Sequence, residues 1–248
     1  MRLTLASILG WVALATSTLV SADASIDNTC LSIERHFATN NLSALIAVEA
    51  REPRWQALQQ FRLAAAYIPA DERRKAGDAI RKGLKLIAAE LKAHPQDIEL
   101  LILGSMLDGQ YLLLRPWRFF INGRRGLSRI ARAEALDAEN PRIALVRGTA
   151  KFILPGFLGG SAKEAQSIFN HALATQRLPG ERFQQSTLCQ SGEWGQVDLM
   201  NWLARAHAKL GDAQGAHEMF SAAAAYSPGN HWVDLALKGE GYEWVQEE

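Results

Sequence analysis

The stretch Val197–Asn230, VDLMNWLARAHAKLGDAQGAHEMFSAAAAYSPGN, decides the fold of this chain. Leu203, Ala204 and His207 lie on one face of a first helix, and Gly211-Asp212 makes a turn. Ala216, Phe220 and Ala223 lie on one face of a second helix, which Pro228 closes. Apolar residues three and four apart give the helical period. Small residues at two fixed places let the antiparallel helices touch closely, and an aromatic side chain fills the gap beside them.

The same spacing recurs upstream in three weaker matches, two of them with isoleucine in place of the aromatic. Leu63-Ala64 and Tyr67 precede Ala76, Ile80 and Gly83, and the interval 64 to 76 equals the interval 204 to 216. A further unit has Leu103-Gly104 and Leu107, then Gly126, Ile130 and Ala133; another has Gly148, then Ala165, Phe169 and Ala172. In these middle units the small-to-small distance lengthens to 22 (104 to 126) and 17 (148 to 165), so each holds an insertion in its inter-helix turn. Helix start signals agree: Asp97 before Ile98–Leu114, Asn140-Pro141, and the capping box Ser161-Ala162-Lys163-Glu164. Strand-like alternation is absent. A helix over 232–245 caps the open face of the last unit.

The Val197–Asn230 unit resembles the tetratricopeptide repeat, a helical hairpin of about 34 residues, and the likeness extends over roughly residues 50–230. Met200 stands where that family has tryptophan and His207 where it has an aromatic. The string Asn140-Pro141-Arg142, Gly148, Pro155 and Gly159-Gly160 resembles a group of exported members of that type. The resemblance implies an all-α, right-handed superhelix (solenoid) of about four hairpins, a protein-binding or scaffold role, and no catalytic residues. The expected organisation is a signal peptide at 1–24, leading helices at 25–50, repeats at 51–231 and a capping helix at 232–248.

Arg2, the apolar run Leu3–Val20 and the small-x-small site Ala22-Asp23-Ala24 follow the order of a secretory signal peptide. The mature chain is then expected to start at Ser25, in the periplasm, without a membrane span. The alternative is an uncleaved anchor, since the run approaches the roughly 20 residues that cross a bilayer. Cys30 and Cys189 permit one disulfide in an oxidising compartment, and whether they pair depends on whether the solenoid brings their Cα atoms within the ~7 Å that a bridge spans.

With 248 residues and a formal net charge of +1, nothing global points to nucleic acid. The six histidines form no HExxH, no G-x-S-x-G elbow exists, and Gly159-Gly160-Ser161-Ala162-Lys163 lacks the phosphate-loop spacing. Cys30, Glu34 and His36 are close in sequence but have no catalytic spacing. The sequence supports no enzyme, cofactor or metal.

Two surfaces remain as candidates for a peptide or protein partner. Turns between paired helices lie along one edge of a solenoid. That edge therefore gathers Arg115–Arg125 and Leu154–Gly160, with Trp117, Arg118, Phe119, Phe120 and Phe157 forming an aromatic–arginine lip. The same aromatics are alternatively explained by folding back into the core. The second surface is the concave groove, where Asn201, Arg205 and Lys209 fall at i, i+4 and i+8 beside Asp198, and Arg142 occupies the matching place one repeat earlier. Phe61, Leu101 and Ser105 make the groove apolar toward the N-terminus. A competing reading is a small-molecule carrier with an enclosed apolar cavity beneath Trp117 and Phe157.

Overall fold

The computed structural model describes residues 28–175 and 195–239. The signal-like stretch, Cys189 and the end of the expected capping helix lie outside them. Two short helices lead, α1 (Asn28–Ala38) and α2 (Leu42–Ala47). Four hairpins follow: α3 (Pro53–Tyr67) with α4 (Arg73–Ala93), α5 (Ile98–Leu114) with α6 (Arg124–Leu136), α7 (Pro141–Ile153) with α8 (Ala162–Thr175), and α9 (Gln196–Lys209) with α10 (Ala213–Tyr226). A last helix, α11 (His231–Leu237), packs on α10. Among the described residues there is no strand.

The helix starts are chemically specified. Side-chain oxygens of Asn41, Asp97, Asn140, Ser161, Asp212 and Asn230 accept hydrogen bonds from otherwise unpaired first-turn N–H groups. Pro53 and Pro141 sit in the first turn, where a missing N–H costs nothing.

Each second helix packs on its partner, and each first helix packs on both helices of the preceding hairpin, which makes an α-solenoid. The core therefore advances in steps. Cys30, Ile33, Leu58, Phe61, Ile80, Leu103 and Leu107 belong to a large first cluster, Leu145, Phe169 and Leu203 to a second, and Ala204, Ala216 and Phe220 to a third. A fully buried Phe or Leu contributes about 1.5–3 kcal/mol, so Phe169 and Phe220, with Ile80 and Ile130 at the same place in the first two hairpins, are main stabilising elements. Gly148 explains itself here: a Cβ on it would lie 2.3 Å from the Phe169 ring. Only glycine lets α7 approach α8 that closely.

Both insertions fall in the turns between paired helices. The first folds as a 3-10 turn, Pro116–Arg118, followed by a π-turn, Phe119–Gly123, that runs directly into α6. The second is a 3-10 turn, Gly156–Leu158. There a Cβ on Gly160 would meet the Leu154 carbonyl oxygen at 1.6 Å. Gly160 is thus a geometric requirement of the tight loop.

Candidate functional site

The sequence suggests an open groove lined by the first helix of each hairpin. At its N-terminal end that groove is filled. Leu58, Phe61 and Arg62 on α3 are buried, as are Leu101 and Ser105 on α5. The occupant at α3 is the chain itself. Arg62 Nε and Nη2 donate to the Glu34 carboxylate of α1 at 2.8 and 2.7 Å. Its Nη1 and Nη2 donate to Asp198 of α9 at 3.1 and 2.6 Å. The Arg62 guanidinium also lies 4.5 Å from the centroid of the Phe37 ring. Phe37 in turn stacks on Trp232 of α11 at 5.4 Å, and the Trp232 indole N–H donates to the Phe37 carbonyl at 3.0 Å. Helix α1 therefore ties the first hairpin to α11, while Arg62 itself reaches the last hairpin.

Burial raises the Glu34 carboxyl above the usual carboxylate range, against the pull of Arg62. Burial also works against the Arg62 charge, but Asp198 and Glu34 outweigh it and hold the guanidinium more firmly protonated than usual. Gln59, also buried, fastens α2 by donating to the carbonyls of Leu45 and Val48 at 2.8 and 3.0 Å.

The remaining groove residues divide into two groups. Arg142 is buried, and its guanidinium binds the Glu99 carboxylate at 2.6 and 2.7 Å. It therefore holds α7 to α5 rather than presenting a charge. On α9, Asn201 is half-buried and accepts from Arg205 at 3.4 Å, while the Arg205 guanidinium stands 5.3 Å from the Trp202 ring. Lys209 is exposed, with its ammonium 5.3 Å from the Phe152 ring. Phe152 and Trp202 meet edge to face at 5.4 Å, so the polar row has an aromatic floor.

The lip stands outward. Trp117 is 70%, Phe120 78% and Phe157 87% exposed, while Phe119 is half-buried and packs edge-on to Phe120 at 6.0 Å. Folding back into the core thus describes Phe119 only in part and the other three not at all. Arg118 is exposed, its guanidinium 5.8 Å from the Tyr111 ring. A cavity of about 330 Å³ touches Trp117, but its walls are Arg73, Arg74, Arg81 and Arg115 with Gly77 and Leu114, and Phe157 is not among them. It is not the enclosed apolar pocket a carrier would need.

No protein-family model and no curated protein matches this sequence. Among solved structures, a thermophilic TPR protein from Thermus thermophilus superposes with a TM-score of 0.52 at 13% identity, covering 87% of this chain and 98% of that one. The fold is tetratricopeptide-like. At that identity the likeness concerns the fold alone, and what this tetratricopeptide-like chain binds must come from its own side chains.

Asp108 determines how the lip is held, and it was not evident from repeat spacing. It is fully buried on α5. It accepts from Asn122 at 2.9 Å, from Arg125 Nε at 3.0 Å and from Arg129 at 2.5 Å. Arg129 also donates to the Gly104 carbonyl at 3.1 Å. One carboxylate thus fastens the end of the insertion, at Asn122 and Arg125, onto the tetratricopeptide-like hairpin. The sequence signal is visible in retrospect, because Asp108 is the lone charge in the apolar run Leu100–Leu114. Arg62 has the same signature within Trp55–Tyr67.

Among the described residues no three His, Cys, Asp or Glu side chains converge as metal ligands. Cys30, Glu34 and His36 do not make a reactive site: Cys30 is buried and disulfide-bonded, and Glu34 is engaged by Arg62. His207, near the end of α9, stands with Nδ1 2.7 Å from Asp212 Oδ2 across the turn to α10.

Proposed function

We propose that this protein is a non-enzymatic scaffold of the bacterial cell envelope that holds a peptide or protein segment along its concave face. One observation carries the reading: the concave face already accepts a helix, α1, through a buried carboxylate on Arg62 and an aromatic ring against Trp232. A surface built to seat one amphipathic segment has the chemistry to seat another. Beyond α1 the row Asn201, Arg205 and Lys209 over Phe152 and Trp202 offers amide and cationic donors on an aromatic floor. Such donors suit the carboxylates and carbonyls of a peptide. Placement in the envelope is supported by Arg2, Leu3–Val20 and Ala22-Asp23-Ala24.

A photo-crosslinking amino acid at position 209 in the intact chain, expressed in cells, tests the groove. A discrete protein adduct is expected from position 209 that is lost with Arg205→Glu and absent from position 92 at the far end of α4. Identical adducts from both positions, or none from 209, reject the groove. N-terminal sequencing of the cellular protein should begin at Ser25; an intact Met1 rejects signal cleavage.

A further inference from the structure

We propose that the edge carrying the inter-helix turns docks this protein on an anionic phospholipid surface. Arginines take the lipid phosphates while Trp117, Phe120 and Ile121 enter the headgroup layer. This surface is separate from the concave face, and the inference stands whether or not the groove binds a peptide.

Shape is the first argument. Ile121 is 62% exposed alongside the still more exposed Trp117 and Phe120, so these side chains form a ridge, with Trp117 also bordering the arginine-walled cavity. A folded protein partner would need a matching hole for each, whereas a bilayer interface yields to any ridge. Tryptophan suits that layer, because its amphipathic ring sits at headgroup level, and phenylalanine and isoleucine gain by leaving water. Phe157 and Leu158 project from the equivalent turn of the next hairpin, on the same edge.

Charge is the second argument. From Gly109 to Arg125 the chain holds four arginines and no carboxylate. Asp108 itself is buried and taken up by Arg125 and Arg129. Among the described residues Arg74, Arg115, Arg118 and Arg124 have no carboxylate within ion-pair distance. This local excess stands out in a chain whose formal net charge is only +1. A negative surface of any curvature satisfies it, and each basic side chain at an anionic bilayer strengthens binding.

The cavity beside the ridge is the third. Arg73 and Arg74 begin α4, and with Arg81 and Arg115 they surround the space of about 330 Å³ that Trp117 walls. Arg81 pairs with Asp78, and Arg73 donates to the Leu114 carbonyl at 3.1 Å, which leaves Arg74 and Arg115 as the principal anion contacts. A phosphate held there places its acyl chains beside the ridge.

Flotation of the purified protein with vesicles tests this. Binding to phosphatidylcholine vesicles containing phosphatidylglycerol is expected, with little binding to phosphatidylcholine alone and release at high salt. Arg74→Glu with Arg115→Glu should weaken anionic-vesicle binding at least ~tenfold, as should Trp117→Ala with Phe120→Ala. Lys92→Glu with Arg132→Glu, the same charge change at the opposite edge, should leave it intact. Equal binding to both vesicle types, or none to either, overturns the proposal. So does unchanged binding by the Trp117/Phe120 variant, or by the Arg74/Arg115 variant. If inorganic phosphate binds the arginine cavity while vesicles do not, the site takes free phosphate and membrane docking is overturned. Thermal midpoints monitor folding, and should a variant unfold, the salt release of the wild-type chain decides alone.

Discussion

Arg62 in the first hairpin and Asp198 in the last are joined by two hydrogen bonds, Nη1–Oδ1 at 3.1 Å and Nη2–Oδ2 at 2.6 Å, across 136 residues of sequence. Tetratricopeptide-like hairpins normally touch only their neighbours, so stability is close to a sum of local terms. This contact, with Glu34 and the Phe37–Trp232 stack, adds a non-local term that couples the two ends.

Removing Arg62 should therefore cost more than a single repeat contact. Arg62→Ala leaves the Glu34 and Asp198 carboxylates facing one another without a cation, a loss of about 3–5 kcal/mol. Arg62→Lys should restore little, because an ammonium cannot bridge two carboxylates with a planar fork. Urea denaturation measures both, and a Lys variant as stable as wild type would contradict the bridging geometry. Glu34→Gln should be milder, since burial already opposes the charge on Glu34.

Asp108 is the matching test for the lip. Asp108→Ala strands the buried Arg129 and frees Asn122, with an expected loss of about 3–5 kcal/mol. The more specific readout is limited proteolysis: cleavage should appear within 115–125, where arginines are abundant, before the rest of the chain is cut. Uniform cleavage along the chain would mean that Asp108 supports the whole hairpin rather than the insertion.

How much of this was legible in the sequence follows from range. The hairpins were readable because their determinants, Ala204 with Ala216 and Phe220, or Gly148 with Phe169, repeat at fixed short spacings. Exposure of Trp117, Phe120 and Phe157 was not readable, because hydrophobicity says that a ring gains from burial but not whether the backbone returns it to the core. The closure of the groove was invisible for another reason. Repeat logic treats Asp198 and Arg142 as groove-lining charges, and only the three-dimensional path brings Arg62 to the former and Glu99 to the latter. A lone charge in an apolar helix, as at Arg62 and Asp108, was the available clue to a buried partner.

Gly148→Ala should show how tightly the third hairpin is packed. Its added methyl would overlap the buried Phe169 ring, and overpacking of this kind costs about 1–3 kcal/mol. Phe169→Leu alone should also destabilise the chain by leaving space. Combined with Gly148→Ala it should cost less than the sum of the two, because the smaller side chain admits the methyl. Strict additivity in denaturation would show that the two residues do not share one steric constraint.

Acid sensitivity should reach the last hairpin through Asp212. Its Oδ1 accepts from the Gly215 N–H at 2.9 Å and its Oδ2 meets His207 Nδ1 at 2.7 Å. The Gly215 backbone hydrogen bond first, and His207 second, hold its carboxyl below the ordinary value of 3.8. Because the folded value is depressed, the stabilisation is present at pH above 3.8 and is lost as pH falls through the folded value. Asp212→Asn keeps a cap that cannot titrate. The difference in thermal midpoint between wild type and Asp212→Asn should thus be level above about pH 5 and move in favour of the variant below about pH 4. A difference that stays level through the acid range would show that the Asp212 carboxylate is not what holds the start of α10.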